Sequence, residues 1–387
     1  MMNAILFLIS QAITLFGSTV VQMAIVWYIT VQTLSGEWVA LCSICAYLPQ
    51  FIVSFWGGVW ADWYSRKFLI IAADAVTAVV TLIGTFCMFY INENILLLYL
   101  LLCISLFRSA CAGIQTPAVN AAIVQIVPKE SLARFNGINM TAQSVIQFTA
   151  PITAGIILSF FSLRIVMFLD ILTAIIGIGI LSKVLIPEIR IKQKQSSVWL
   201  NMRSGIKYMS ENEIIYRILF IYSAFIFLCV PAGFLAGLFV SRVFENSYDY
   251  LTFVETAGFA GMSLGGLLMS VWGGFSRKEK TLQSGLFIFG AMTILMGIEK
   301  NFMWYLCFMF MYGIAMTVVQ TVITTMLQEK TEECIQGRVF GMISSLYAGL
   351  LPTGMAIFGM MADVVSLQLI MIVSGVVLIT LSFSIIK

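Results

Sequence analysis

The sequence contains no histidine and few charged residues. Without histidine, the chain cannot form a histidine-based metal site, a histidine general base or a Ser-His-Asp triad. Only 10% of the residues are charged, whereas soluble domains carry about 25%, and 60% are hydrophobic. A chain of 387 residues cannot bury this much apolar surface in its own core. The composition therefore excludes a soluble globular enzyme and predicts that lipid surrounds much of the chain.

Motifs of ATP-driven and hydrolytic proteins are also missing. The sequence has no G-x-x-x-x-G-K-[ST] phosphate loop, no zinc-ligand spacing and no nucleophile elbow. The net charge of +3 is typical of a membrane protein with basic cytoplasmic loops and does not indicate nucleic-acid binding. We therefore expect no enzymatic activity, no cofactor and no metal site, with an ion gradient as the energy source.

Twelve apolar stretches are each long enough to cross a bilayer as a helix, which takes about 20 residues. None alternates apolar and polar residues as a β-barrel strand does. The stretches run over residues 3–32, 38–61, 68–91, 95–126, 135–160, 164–186, 214–240, 252–275, 281–299, 302–327, 338–362 and 365–386. The sequence thus predicts an all-α membrane protein with 12 transmembrane helices.

The distribution of basic residues predicts the orientation of these spans. If both termini are cytoplasmic, 17 of the 21 lysines and arginines lie on the inner side, since Arg164, Arg242 and Lys300 fall outside and Arg108 falls within a span. Basic residues concentrate in cytoplasmic loops. We therefore expect a multi-pass protein of the bacterial cytoplasmic membrane, monomeric, with both termini in the cytoplasm.

One long basic connection divides the chain. It predicts an N-terminal six-helix half (1–186), a cytoplasmic linker (187–213) and a C-terminal six-helix half (214–387). Apolar residues recur in the linker at helical spacing, which favours an amphipathic helix on the inner membrane surface over a solvated connection. These residues are Val198, Trp199, Met202, Ile206 and Met209.

The two halves repeat each other faintly. Arg66-Lys67 after span two recurs as Arg277-Lys278 after span eight, and spans five and eleven carry Pro151 and Pro352. Two parallel repeats of six helices are the architecture of the major facilitator superfamily. The loop after span two, Gly58-Val-Trp-Ala-Asp62-Trp-Tyr-Ser-Arg66-Lys67, resembles the signature G-x-x-x-D-R-x-G-R-K of that superfamily. The resemblance implies that Gly58, Asp62, Arg66 and Lys67 latch the cytoplasmic gate, while Trp63 and Ser65 depart from the signature.

Span five carries a second resemblance. Gly137, Ala150, Pro151 and Gly155 are similar to the glycine-proline motif of the exporters, with two glycines replaced by alanine. Phrases such as Gly337-Arg338-Val339-Phe340, and an arginine in span four, resemble the macrolide-efflux branch of the drug:proton antiporters. The resemblance implies export by antiport.

Four ionisable residues fall inside predicted spans: Asp74, Arg108, Asp170 and Glu255. Each costs at least about 2.5–3.5 kcal/mol at the bilayer centre, so each requires a reason. Without histidine, a side-chain proton relay must use the carboxylates. Arg108 either holds a nearby carboxylate ionised or forms a static pair. For Asp74 and Asp170 the alternatives are a proton carrier and a structural partner. For Glu255 they also include an outer-gate salt bridge and simple exposure at the interface.

Uncharged polar side chains on spans one, four and ten are candidates for a substrate cavity. They are Gln11, Ser18, Gln22, Gln115, Asn120 and Gln320. Each alone is equally explained by a hydrogen bond between helices. Together with the resemblance they predict a secondary active transporter that exports small amphipathic drugs, macrolides among them, by proton antiport and alternating access. A lysophospholipid flippase of the same fold and a membrane sensor that transports nothing are the alternatives.

Overall fold

The computed structural model describes residues 2–91, 94–127, 132–186, 212–331 and 333–384. Within these residues the regular structure consists of fourteen α-helices. They are α1 (Met2–Thr33), α2 (Gly36–Trp63), α3 (Arg66–Cys87), α4 (Asn94–Ile126), α5 (Leu132–Phe160), α6 (Leu163–Ser182), α7 (Glu213–Leu228), α8 (Val230–Gly233), α9 (Ala236–Val243), α10 (Tyr248–Trp272), α11 (Lys278–Ile298), α12 (Phe302–Lys330), α13 (Glu333–Val364) and α14 (Leu367–Ser384).

Among the described residues, twelve helical segments are long and apolar enough to cross a membrane, which confirms the predicted all-α class and number of spans. A lipid-surrounded backbone must satisfy its hydrogen bonds internally, and a helix does so within each span. The predicted amphipathic helix in the linker falls on residues 187–211, which lie outside the described part, and remains a prediction.

Helix α3 shows how each span divides into two faces. Val76, Val79, Ile83 and Phe86 recur at helical spacing and are all exposed. The opposite face carries the buried residues of the helix, among them Asp74 and Thr81. A stripe of large exposed apolar side chains suits lipid, and the small and polar residues are kept for contacts between helices.

The chain divides into two compact units. Unit 1 comprises Met1–Leu34, Leu41–Lys192 and Ser247–Thr252, and unit 2 comprises Ser35–Ala40, Gln193–Asn246 and Phe253–Lys387. In unit 1, α1 packs on α6, and α3 packs on α4 and α6; in unit 2, α7 packs on α14, and α11 packs on α12 and α14. Spans one, three, four and six therefore make the same contacts as spans seven, nine, ten and twelve, as an internal repeat requires.

The seventh span is interrupted, which the sequence prediction of one continuous helix over 214–240 did not include. The three helices α7, α8 and α9 share this span, with breaks at Cys229 and at Phe234–Leu235. Pro231 lies in the first turn of α8, where its missing N–H and its ring disrupt a continuing helix. The Tyr312 hydroxyl donates to the Cys229 carbonyl at 3.1 Å and so stabilises the first break.

Candidate functional site

A buried ion pair joins two helices of unit 1. Arg108 on α4 donates from Nη1 to Asp170 Oδ2 on α6, and from Nη2 to Asp170 Oδ1 at 3.2 Å. The two side chains are only 5% and 3% exposed. Two parallel charge-assisted bonds fix the plane of the guanidinium against the carboxylate. Each charge thus finds the compensation that a position inside a span requires.

Two hydroxyl residues complete this network from α1 and α3. Arg108 Nη1 donates to Thr81 Oγ1 at 2.8 Å, and Thr81 Oγ1 donates to Asp170 Oδ2 at 3.2 Å. Arg108 Nη2 donates to Ser18 Oγ at 3.2 Å. Four helices therefore meet at one charge pair. Thr81 was not among the sequence-predicted residues, although it lies seven residues after Asp74 and so on the same face of α3.

Small residues on α1 and α6 allow this meeting. A Cβ on Gly17 would lie 1.9 Å from Thr173 Oγ1, and a Cβ on Gly177 would lie 2.2 Å from Thr14 Cγ2. Ser10 Oγ donates to the Gly177 carbonyl at 2.9 Å across the same contact. Only glycine permits so close an approach, and it is this approach that brings α1 to the helix that carries the aspartate.

Asp74 forms a second polar contact between α3 and α4. Gln115 Nε2 on α4 donates to Asp74 Oδ1 at 2.8 Å. Asp74 Oδ2 is buried and has no hydrogen-bond partner among the described residues. Asp74 precedes Thr81 by seven residues, and Gln115 follows Arg108 by seven. Two helical turns, about 10 Å, therefore separate the Asp74–Gln115 contact from the ion pair. One carboxylate is fully engaged, and the other has an open oxygen.

The remaining candidates for the substrate cavity do not all contact the buried charges. Gln22 Oε1 accepts from Ser105 Oγ at 3.3 Å, and the Nε2 atoms of Gln11 and Gln22 are buried without a partner among the described residues. Asn120 is exposed on α4, and Gln320 belongs to unit 2. Unit 1 therefore brings Ser18 and Gln115 into contact with the buried charges, but not Asn120.

The basic residues of the signature loop bind the ends of neighbouring helices. Arg66 Nη1 donates to the Ala121 carbonyl at 2.8 Å. Lys67 Nζ donates to the carbonyls of Ser182 and Val184 at 2.6 and 2.8 Å. The two carbonyls bound by Lys67 lie at and just after the end of α6, where helix carbonyls lack intrahelical partners and a cation is favoured. Gly58 and Asp62 fall on α2, where their side-chain surroundings lie outside the described part of the structure.

The exporter-like motif of span five lies on α5. Ala150 and Pro151 are buried. A Cβ on Gly155 would lie 1.8 Å from Thr252 Oγ1, so a glycine is required for this close contact. Gly137 lies on the same helix, and its surroundings are outside the described part of the structure.

Glu255 lies on α10, in unit 2. No ion pair or hydrogen bond to its carboxylate is found among the described residues, so the interpretation as an outer-gate salt bridge has no support there. Three residues further along α10, a Cβ on Gly258 would lie 2.9 Å from Met309 Cε, so this face of α10 packs on α12.

Sequence reasoning missed a second ion pair, between Arg242 on α9 and Asp363 near the end of α13. Asp363 also accepts from Ser35 Oγ at 2.9 Å and from the backbone N–H groups of Gly36 and Glu37, both at 2.8 Å. The carboxylate therefore caps the start of α2, where the helix dipole favours negative charge. A carboxylate at the end of an apolar stretch was the available signal, but its partners are distant in sequence.

A match to a known protein family agrees with this architecture. A family model described as Major Facilitator Superfamily matches residues 7–352. The chain belongs to this superfamily. Its members are transporters, and the chain is thus a multi-pass membrane protein of a transporter family. Within the described residues, no three histidine, cysteine, aspartate or glutamate side chains come together as they would around a metal ion.

Several relatives in the superfamily are similar along most of the chain. Macrolide efflux protein A of Streptococcus pyogenes is 25% identical over 376 residues, covering 96% of this chain and 92% of that protein. Macrolide efflux protein A of Enterococcus faecalis is 24% identical, covering 81% and 97%. The fold is similar to that of a mutant of the nucleoside transporter NupG (TM-score 0.74, 12% identity, 99% of both chains). It is equally similar to a bacterial homologue of the iron transporter ferroportin in its inward-facing state (TM-score 0.74, 15% identity, 99% and 98%).

Proposed function

We propose that this chain is a secondary active exporter of amphipathic drugs, driven by proton antiport through alternating access, with macrolides as the first substrates to test. The relatives named as macrolide efflux proteins and the exporter-like motif of α5 support the direction and the cargo. The observation that carries proton coupling is the half-engaged carboxylate of Asp74, in a chain without histidine.

The Arg108–Asp170 ion pair and the Asp74–Gln115 contact of unit 1 suit different functions. Both oxygens of Asp170 accept hydrogen bonds from Arg108, and the pair stabilises the packing of four helices. Asp74 has one oxygen held by Gln115, and the other, Oδ2, is open. A proton bound at Oδ2 removes a charge from an apolar environment, and its release restores that charge. We assign proton binding to Asp74 and charge stabilisation to Arg108.

Proton coupling supplies enough free energy for useful export. One proton moving across about 100 mV releases roughly 2.3 kcal/mol. A tenfold concentration ratio corresponds to about 1.4 kcal/mol. One proton per drug molecule therefore sustains more than a tenfold gradient. The basic loops favour an orientation with both termini in the cytoplasm, and we propose a monomer in the cytoplasmic membrane of a bacterial cell.

The test is accumulation of a labelled macrolide in a drug-sensitive bacterium that expresses the full chain. We expect lower accumulation than in cells with an empty vector, and restoration of accumulation by a protonophore. Asp74→Asn removes the titrating oxygen and is expected to abolish gradient-driven export. Glu279→Gln removes one negative charge from an exposed residue at the start of α11 and serves as the matched control.

Two results would contradict the proposal. If accumulation is unchanged although the protein reaches the membrane, macrolides are not its cargo. If Asp74→Asn exports the drug with the same dependence on the proton gradient as the wild type, Asp74 does not carry the proton.

A further inference from the structure

We propose that the α10–α11 turn, residues 272–280, binds the headgroup of an anionic phospholipid. This turn is the second-half copy of the signature loop. It connects spans eight and nine, two segments that are long and apolar enough to cross a membrane, so it lies where the bilayer meets water. The inference goes beyond the proposed export function and does not depend on the cargo.

The two copies of the loop use their basic residues differently. In unit 1, Arg66 and Lys67 both donate to backbone carbonyls of other segments. In unit 2, Lys278 Nζ donates to the Gly273 carbonyl at 2.9 Å, inside the turn itself. Arg277 is exposed, and its side chain makes no hydrogen bond or ion pair with the described residues. The second copy therefore has a cation that can bind a partner from outside.

Lys280 adds a second exposed cation beside Arg277. The Lys280 N–H donates to the Arg277 carbonyl at 3.1 Å, so the two residues belong to one helical turn. Side chains three positions apart are neighbours on a helix surface. The acidic residue of this turn, Glu279, is at spacings at which side chains do not face each other, and no ion pair in the described structure joins it to either cation. Two neighbouring like charges favour an anionic partner.

The backbone that carries these charges is held in one conformation. Gly273 and Gly274 have φ angles of +68° and +86°, in the region that favours glycine. The Phe275 N–H donates to Oγ1 of the buried Thr281 at 2.8 Å, and a Cβ on Gly274 would lie 2.9 Å from the same oxygen. The first turn of α11 thus fixes the residues before it. A preorganised site loses less conformational entropy when a ligand binds.

An aromatic pair lies at the membrane end of the turn. The rings of Trp272 and Phe275 meet edge to face with centroids 4.8 Å apart, and the side chains are 44% and 47% exposed. Tryptophan is enriched where a bilayer meets water, because its ring suits both apolar and polar surroundings. Since Phe275 is bonded to the first turn of α11, the aromatic surface adjoins the two cations. One face suits the glycerol region of a lipid and the other suits its phosphate.

The charges select among membrane lipids. An arginine binds a phosphate through two parallel hydrogen bonds, and a lysine adds a point charge. A zwitterionic headgroup such as phosphatidylcholine brings its own cation towards Arg277 and Lys280, whereas phosphatidylglycerol brings none. Each basic residue beside an anionic surface contributes about fivefold in affinity. We therefore expect the turn to prefer phosphatidylglycerol over phosphatidylcholine by between about fivefold and 25-fold at low salt.

Quenching of Trp272 by brominated lipids tests this inference with the full chain in phosphatidylcholine vesicles. A minor fraction of the lipid is brominated, either as phosphatidylglycerol or as phosphatidylcholine, and Trp272→Phe is used to subtract the other tryptophans. Arg277→Gln with Lys280→Gln should reduce the preference for phosphatidylglycerol by at least about fivefold. Lys183→Gln with Lys300→Gln, which removes two exposed cations elsewhere, should leave it within about twofold of the wild type.

A second measurement uses wild-type binding alone, so it does not depend on how the charge variants fold. At about 1 M salt the screening length falls to about 3 Å, and the lipid preference should fall close to one. Inorganic phosphate should displace phosphatidylglycerol no better than sodium chloride at the same ionic strength, because free phosphate gains nothing from the aromatic pair.

Several outcomes would overturn the inference, and they differ from failure of the proposed function. Equal quenching by both lipids, or a preference that survives the Arg277 and Lys280 substitutions or high salt, would show that the turn does not select an anionic lipid. Displacement by inorganic phosphate beyond the effect of ionic strength would assign the turn to a free anion. Macrolide export without lipid preference would retain the proposed function and lose this inference. Lipid preference without macrolide export would do the reverse.

Discussion

Removal of one partner from the Arg108–Asp170 pair should destabilise the protein strongly. Asp170→Asn leaves the guanidinium nearly fully buried, with uncharged partners only: the hydroxyls of Thr81 and Ser18, the Ser18 carbonyl and the new amide. A buried charge that loses its partner costs about 3–5 kcal/mol. Because the side chains are only 5% and 3% exposed, solvent screening should not reduce this cost much.

A double substitution separates this charge effect from loss of packing. Arg108→Met with Asp170→Leu removes both charges and keeps apolar volume at the contact. Replacement of a buried pair by apolar residues is often neutral in stability. We therefore expect the double variant to lie within about 2 kcal/mol of the wild type, well above Asp170→Asn. The two substitutions should thus be strongly non-additive.

Reversible unfolding in mixed detergent micelles, followed by tryptophan fluorescence, measures these differences. Asp170→Asn should also lower the unfolding temperature by on the order of 10 °C, if unit 1 behaves as a domain of its size. Stability of Asp170→Asn within about 1 kcal/mol of the wild type would refute the reasoning, because the pair would then not be a buried and compensated one. Additive effects of the two single substitutions would show that the residues do not interact.

Two further predictions concern packing and capping. Gly177→Ala places a methyl group 2.2 Å from Thr14 Cγ2 and should cost about 1–3 kcal/mol of stability. Gly179→Ala on the same helix meets nothing within 4 Å and should be neutral or slightly stabilising. Equal stabilities of the two variants would contradict the close contact at Gly177. Asp363→Asn should cost only about 1 kcal/mol of stability, because the ion pair is partly exposed and the asparagine still accepts from the α2 backbone. Glu245→Gln, a variant of an exposed loop residue, is the control. A loss of stability above about 3 kcal/mol for Asp363→Asn would show that the pair acts as a buried one.

Local sequence patterns were sufficient for the spans because membrane insertion depends on the summed hydropathy of about 20 residues. The predicted span over 164–186 is a good example, since its boundaries differ from those of the observed α6, Leu163–Ser182, by only a few residues. Helical spacing also placed Arg108 and Gln115 on one face of α4. The interruption of span seven was missed although Pro231 signalled it, because a proline in a transmembrane helix is often accommodated without a break.

The site required contacts that no local pattern contains. Arg108 and Asp170 are 62 residues apart, and nothing in either segment specifies the other as its partner. The sequence identified both as charges that needed compensation, and the cost of an unpaired charge in the bilayer is a property of the residue and its depth. Which carboxylate is paired, and which is left open, depends instead on how the helices pack.

The sequence by itself therefore determined the class of protein, the number of spans and the residues whose presence in a membrane required a reason. Only the tertiary structure decided that Asp170 is paired with Arg108 and that Asp74 Oδ2 has no hydrogen-bond partner among the described residues. The physical reason is that hydropathy acts residue by residue along the chain, whereas pairing depends on glycine contacts between helices that are distant in sequence. Those contacts set the distances at which charges and hydroxyls meet.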